Sequence, residues 1–297
     1  MTSVVRRLDH WLYEPAPPER LAVFRVLVGA FAVVYLAVRS PAFWSLADRS
    51  TARFEPVGVL AWIDHPLAGS SWHVIFVATI ALGVAFTLGV AFRVCGPLFG
   101  ITLLFVTTYR SSWGQLLYFE NLLVLHVLIV GLSKSADAMA LSRDRRMPSS
   151  SATYGWPMRH AAIVTVATYV LAGVAKLRLG GIEWMDGDTL RNHIAFSATR
   201  LGLLGGDYSP VAKAMVEHSW LLTPAASLVV LLELSAPIAL LGGRVAVAWV
   251  AATWVMHVGI AATMFVVFPY PLSLIAFAPF FRLERLLSLR HRSSIAV

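Results

Sequence analysis

Five ionisable side chains stand inside or at the ends of apolar runs: Arg25, Glu120, Lys176, Glu233 and His257. An ionisable group in hydrocarbon is costly, so such groups face protein or water and mark either function or a structural pairing. Lys176 closes the run in YVLAGVAKLRLGGIEWMDG. Tyr169, Ala172, Gly173 and Lys176 are spaced i, i+3, i+4, i+7, so they share one helix face. Ala172 and Gly173 let a second helix approach beside the lysine. Desolvation there disfavours the ammonium and makes a neutral amine accessible, which is what a general base requires. The competing reading is a lysine that snorkels to the lipid–water boundary.

Glu233 lies in LLELSAPIALL, and Pro237 four residues on cannot donate to the carbonyl of residue 233. A carboxylate and a released carbonyl at one level suit a cation, a lysine head or a substrate hydroxyl. The alternative is a structural ion pair. His257 follows Thr253 by one turn in TWVMHVGIAATMF. It reads as a substrate-positioning group or as a hydrogen-bonded packing residue. No second histidine sits at i+3 or i+4, so no metal site is expected. Glu120 is placed for a salt bridge with Lys176 at the outer side. Arg25 is read as a structural or snorkelling cation, and His126 as core packing.

These side chains need an apolar scaffold. The 297 residues are 58% hydrophobic and only 13% charged, with a mean hydropathy of +0.72. That balance excludes an ordinary soluble domain. The formal charge is +8, but the basic residues sit between apolar runs, so topology rather than nucleic acid accounts for them. The lone Cys95 excludes an intramolecular disulfide and a CxxC site.

A span needs about 20 mostly apolar residues. The sequence suggests eight: roughly 21–38, 72–92, 94–109, 116–132, 159–176, 222–242, 245–267 and 270–281, with seven as the fallback. The third and the last are short, and the last, opened by Pro269 and Pro271, is a candidate re-entrant segment. Arg25 interrupts the first run, which reads as a retained helix rather than a cleaved signal. Fourteen of the 24 Lys and Arg fall in connections on one side and eight, Arg110 among them, on the other. That bias puts both termini in the cytoplasm, with residues 1–20 as a cytoplasmic segment and 282–297 as a basic tail attracted to anionic lipid. The loops 39–71 and 177–221 mix aromatics with charges, as interfacial helices on the outer side would. The loop 133–158 reads as flexible. The expected fold is an all-α polytopic transmembrane helical bundle, a single domain over 1–297, integral to a bacterial cytoplasmic (inner) membrane.

Several segments resemble the HTTM domain, the membrane region shared by vitamin K-dependent gamma-carboxylases and bacterial relatives. They are RLAVFRVLVGAFAVVYL, FEPVG at 54–58, YVLAGVAKLRLGGIEWMDG, LLELSAPIAL and HVGIAATMFVVFPYPLSLIAFAPF. The resemblance implies a base at Lys176, which matches the second lysine of the carboxylase's GxKKL; Ala175 replaces the first. It implies a counterpart for the seventh-helix histidine at His257. The sequence also departs from the pattern. After Trp113, the carboxylase's asparagine–histidine pair becomes Gln115 and Leu116. The Asn-Ser after the histidine is missing, and Arg178 replaces an aspartate. The large lumenal domain is expected to be absent. Peptide glutamate carboxylation is therefore disfavoured, and the membrane half is what the resemblance leaves.

The combined expectation assigns catalytic roles to Lys176, Glu233 and His257. Substrate contacts are Tyr169, Gly173, Trp184, Gln115, Glu120 and Thr253. The implied small molecule is a quinone or hydroquinone, menaquinone-like, handled by a quinone-linked oxidoreductase or carboxylase-like enzyme in contact with membrane lipid. The alternatives are a non-catalytic lipid or small-molecule carrier, marked by the proline-broken helix beside Glu233, and a membrane subunit that scaffolds a protein partner.

Overall fold

The computed structural model describes residues 3–114, 119–141, 149–207 and 209–287. Gln115, the stretch 142–148 within the loop expected to be flexible, and the tail beyond residue 287 lie outside them. The α-helices are α1 (Ser3–Leu12), α2 (Pro18–Val38), α3 (Ser40–Trp44), α4 (Gly69–Leu88), α5 (Phe92–Ser111), α6 (Asn121–Gly131), α7 (Ala152–Gly180), α8 (Asp188–Leu203), α9 (Pro210–Glu217), α10 (Leu222–Leu234), α11 (Gly243–Met264) and α12 (Pro269–Leu272), joined in places by short 3-10 turns. The described residues form no strand beyond one isolated bridge, Ala16 to Ser151. The chain is an all-α helical membrane protein.

Five described helices, α2, α4, α5, α7 and α11, are long and apolar enough to cross a membrane. A sixth span arises if α9 and the segment Ser219–Leu234, bent by 95°, count as one. Among the described residues the difference from the expected eight falls at identifiable places. The run 222–242 breaks after α10 into a 3-10 turn, Ala236–Leu241, because Pro237 cannot continue the ladder. The run 270–281 becomes α12 and a second turn, Ile275–Phe280, where Pro269, Pro271 and Pro279 deny three donors. The described part of the run 116–132 is α6, of 11 residues. The run 94–109, by contrast, is longer than hydropathy suggests: α5 takes 20 residues. Its polar end hides its hydroxyls internally, as Thr107 donates to the Leu103 carbonyl at 2.8 Å.

The chain divides into two compact units, the residues up to Ala161 with those from Arg282 onward, and Ala162–Phe281. In the first unit, α5 and α6 meet at glycines. A Cβ on Gly96 would lie 2.7 Å from the Gly131 carbonyl oxygen, and one on Gly131 would lie 2.5 Å from that of Gly96. Backbone contact of this kind is how helices associate without a hydrophobic driving force between them. Arg25, fully buried on α2, donates to the carbonyls of Ser135 (2.6 Å), Ala138 (3.2 Å) and Met139 (2.5 Å). It therefore ties α2 to the turn after α6 and is structural. His126, also fully buried, bonds through Nε2 to the Ala161 carbonyl oxygen at 3.1 Å and meets the Phe24 ring edge-on. The loop 39–71 is helical in short pieces. The Trp72 indole donates to Phe43 O at 2.8 Å and stacks on Tyr109, and Tyr109 Oη accepts from the Leu67 amide at 3.0 Å.

The second unit packs Val166 and Tyr169 of α7, Ala236 and Ala239 of the 3-10 turn, Trp249 and Val250 of α11, and Phe277 into one core. A smaller core joins Leu190 and Ile194 of α8 with Ala212, Leu222 and Ala226. Leu171, Leu228 and Val255 are left exposed, as residues facing lipid tails would be. Segment 177–221 is largely helical, as expected of an interfacial loop.

Candidate functional site

Lys176 lies one turn from the end of α7, and Glu233 one residue from the end of α10. Their side chains meet head-on: Nζ lies 2.6 Å from Oε1 and 2.7 Å from Oε2 of Glu233. The carboxylate is 7% exposed and the lysine side chain 23%. Gly173 makes this approach possible. A Cβ there would sit 3.1 Å from Glu233 Cβ and 3.0 Å from Leu234 Cδ2. The small residue beside the lysine thus admits the helix that carries its counterion.

The ammonium also sits 5.3 Å from the ring centroid of Trp184, a cation–π distance. Trp184 belongs to the turn Ile182–Met185, which is fastened to α10 at two points one turn apart. The Thr223 hydroxyl donates to the Asp186 carbonyl, and that of Ser227 to the Met185 carbonyl at 3.2 Å. The lysine's ammonium is therefore roofed by an indole that α10 holds in place.

Two turns earlier on the same face of α7, the buried Tyr169 hydroxyl lies 2.8 Å from His257 Nε2. The ring pair is framed by Trp249, Phe277 and Phe268. Tyr169 meets Trp249 edge-on at 5.2 Å and stacks on Phe277 at 6.1 Å, while His257 lies 5.1 Å from Phe268. His257 Nδ1 is buried with no hydrogen-bond partner, and so is Oγ1 of Thr253, one turn before it on α11. Such orphans are rare because each forfeits its hydration. Tyr169 and Lys176, seven residues apart on α7, share one face of that helix, so the two pairs lie along the same side of it. Of the expected site residues, Lys176, Glu233, Gly173, Trp184, Tyr169, His257 and Thr253 thus belong to one unit and one neighbourhood.

The helix break also exposes a neighbouring carbonyl. The Leu232 carbonyl accepts from the Trp249 indole at 3.1 Å and from the Ser235 hydroxyl at 3.1 Å. Trp249 is a residue that spacing alone did not single out. Its signal, a tryptophan two turns before His257 on one face of α11, is visible only in retrospect.

Glu120 belongs to the other unit and has its own partner. Its Oε1 lies 2.6 Å from the Arg110 guanidinium and also accepts from the Tyr35 hydroxyl. The expected Glu120–Lys176 bridge is replaced by two separate pairs, each formed inside its own unit. Arg110, counted from the sequence among loop cations, is buried on α5 against the face of Phe43. An arginine ending an apolar run ten residues before a glutamate is the signal that would have found this pair. An open depression of about 390 Å³ lies at Ser40, Pro41, Trp44, Ser45 and Asp48, away from these ionisable groups in the chain.

The geometry assembles the elements that carried the resemblance: the lysine of GVAKL, the tryptophan that follows it, the LLELSAP acid and the histidine before FPY. The model of the HTTM domain family matches residues 13–284. The chain belongs to that family. No curated protein and no solved structure matches it. Among the described residues no cluster of three or more His, Cys, Asp or Glu is placed to hold a metal ion. As an HTTM-domain protein, the chain holds Lys176 against Glu233 and Tyr169 against His257 as two close pairs.

Proposed function

We propose that the second unit binds a lipid with a flat ring and a ring hydroxyl, of the quinol class, and takes a proton from that hydroxyl. The observation that carries this reading is the Lys176–Glu233 pair beside the Tyr169–His257 pair. The fit rests on the two orphaned buried atoms, His257 Nδ1 and Thr253 Oγ1, which suit a ligand oxygen, and on the aromatic rings around them, which suit a planar group.

As an ion pair, Lys176 has no lone pair to offer. In a low-dielectric site the neutral form of such a pair avoids the desolvation cost of two charges. One proton passing from the ammonium to the Glu233 carboxylate leaves a free amine. That amine takes the substrate O–H proton and becomes an ammonium beside the resulting oxyanion. Trp184 keeps water from the amine, and Tyr169 orients His257. The protein is then an intramembrane enzyme of the cytoplasmic membrane, with both termini on the cytoplasmic side.

The test compares wild type with Lys176→Ala and Glu233→Gln in lipid vesicles supplied with menaquinol and an added two-electron acceptor, which takes the electrons of the deprotonated ring so that turnover is oxidation of quinol to quinone. Turnover by the wild type that falls at least a hundredfold in both variants supports the reading. Equal turnover in wild type and Lys176→Ala sinks it, as does no turnover and no saturable binding of any native quinol.

One observation favours a second reading, a carrier. The helix that bears Glu233 ends one residue after it, and broken helices beside intramembrane charges are a feature of transport sites. Proton-coupled uptake that disappears in Glu233→Gln while quinol turnover stays absent would select it.

A further inference from the structure

We propose that α1 lies in the plane of the membrane surface and binds anionic lipid headgroups, anchoring the chain ahead of its first span. The sequence of α1, SVVRRLDHWL, separates cleanly on a helix. Val5, Leu8 and Leu12 are spaced i, i+3, i+7 and share a face with Trp11. Arg6 and His10 occupy the opposite side, and Arg7 flanks the apolar face beside Trp11. Val5 and Leu8 are 44% and 56% exposed, whereas Trp11 and Leu12 are half-buried, so the bundle leaves the N-terminal part of that apolar face uncovered.

The helix is held in place at its C-terminal end. The Arg159 guanidinium of α7 lies 4.7 Å over the Trp11 ring and pairs with Glu14. Ala16 and Ser151 exchange backbone hydrogen bonds at 3.1 Å in both directions. The apolar face is therefore presented in a set direction rather than left on a loose arm.

The occupant follows from length and charge. Ten residues of helix span about 15 Å, half the roughly 30 Å of hydrocarbon, so α1 cannot cross. Five residues separate it from Pro18, where the first span begins. That linker reaches at most about 18 Å, which confines α1 to the headgroup zone. An apolar face flanked by arginines at that depth suits a membrane with acidic headgroups. Asp9 is the one exposed acid on the helix, since Glu14 beyond it is committed to Arg159.

The experiment places a nitroxide on the full chain at Leu8→Cys or at His10→Cys, in a Cys95→Ser background. The protein is reconstituted in phosphatidylcholine vesicles with or without about a quarter phosphatidylglycerol. Accessibility to lipid-soluble oxygen is compared with accessibility to an aqueous nickel chelate. The expected oxygen-to-nickel ratio is several-fold higher at position 8 than at position 10 in the anionic vesicles. Replacing Arg6 and Arg7 by Gln lowers the ratio at position 8 there and leaves it unchanged in pure phosphatidylcholine. Equal ratios at the two positions overturn the proposal. So does a ratio at position 8 that ignores both the arginines and the anionic lipid. Dipolar broadening between labels on two copies would place a second chain on this face and overturn it equally.

Discussion

Lys176 presents its ammonium to both carboxylate oxygens of Glu233, at 2.6 and 2.7 Å, across the contact that Gly173 opens between α7 and α10. Neither group is replaceable alone. Glu233 is buried, and removing the lysine leaves a carboxylate with no counterion in an apolar unit. Breaking a buried pair from one side costs on the order of 3–5 kcal/mol; the partial exposure of the lysine brings the expected loss for Lys176→Ala toward about 2 kcal/mol. The double variant Lys176→Met with Glu233→Leu is expected to lose less than either single change. Thermal unfolding of the four proteins in one lipid or detergent, read as a double-mutant cycle, measures the coupling. Additive losses would mean that the two groups do not depend on each other.

Gly173 gives a sharper steric test. A methyl group there meets three side-chain atoms at 3.0 to 3.1 Å, so Gly173→Ala should cost little if Leu234 turns aside. Gly173→Val adds two more carbons at the same crowded point and should cost about 1–3 kcal/mol. It should also separate Lys176 from Glu233. The reading is that Gly173→Val and Lys176→Ala are strongly sub-additive in stability, because each breaks the same contact. Full stability in Gly173→Val would show that α10 does not need this approach.

The sequence carried the helical class and the membrane setting with little ambiguity, because an apolar run of span length has few other uses. It also carried the Lys176 face of α7, since i, i+3, i+4, i+7 spacing is fixed by helix geometry. It did not carry the partner of Lys176. Glu120 and Glu233 are equivalent as acids in apolar runs, and which one meets the lysine depends on packing between elements far apart in the chain. Arg110 was misplaced for a related reason: hydropathy ends a span at a charge, whereas α5 continues through its arginine to Ser111 and pairs it with Glu120. Two of the apolar runs break where proline decides. Pro237, Pro269 and Pro271 leave the composition of an apolar run unchanged but interrupt its hydrogen-bond ladder.

Tyr169 and His257 lend themselves to a conservative substitution. Tyr169→Phe keeps the ring that packs on Trp249 and Phe277 and removes the hydroxyl bonded to His257 Nε2. His257 Nδ1 already lacks a partner, so the variant leaves the whole imidazole unsatisfied. A loss of about 1–3 kcal/mol is expected. His257→Leu restores an apolar surface of similar size, and Tyr169→Phe made in that background should cost much less than it does alone. If Tyr169→Phe is neutral in the wild-type background, the hydrogen bond is not what holds the ring in place.

The Arg20–Glu284 pair gives the pH dependence its sign. Arg20 Nε and Nη2 donate to the two oxygens of Glu284 at 2.8 and 2.7 Å. Partial burial by itself would raise the Glu284 carboxyl, but the hydrogen bonds from Arg20, with the charges of Arg20 and Arg282, outweigh it and hold the group below its ordinary value of 4.5. A carboxyl whose folded-state value is depressed binds fewer protons folded than unfolded, so stability rises with pH in that range. The contribution is complete above the ordinary carboxylate value and is lost as pH falls from there through the depressed value. Glu284→Gln removes this component. The wild type and the variant should therefore differ in melting temperature at neutral pH and converge as the solution is acidified below about pH 4. A gap that stays constant across the acid range would assign the contact to packing of the segment after α12 rather than to the ion pair.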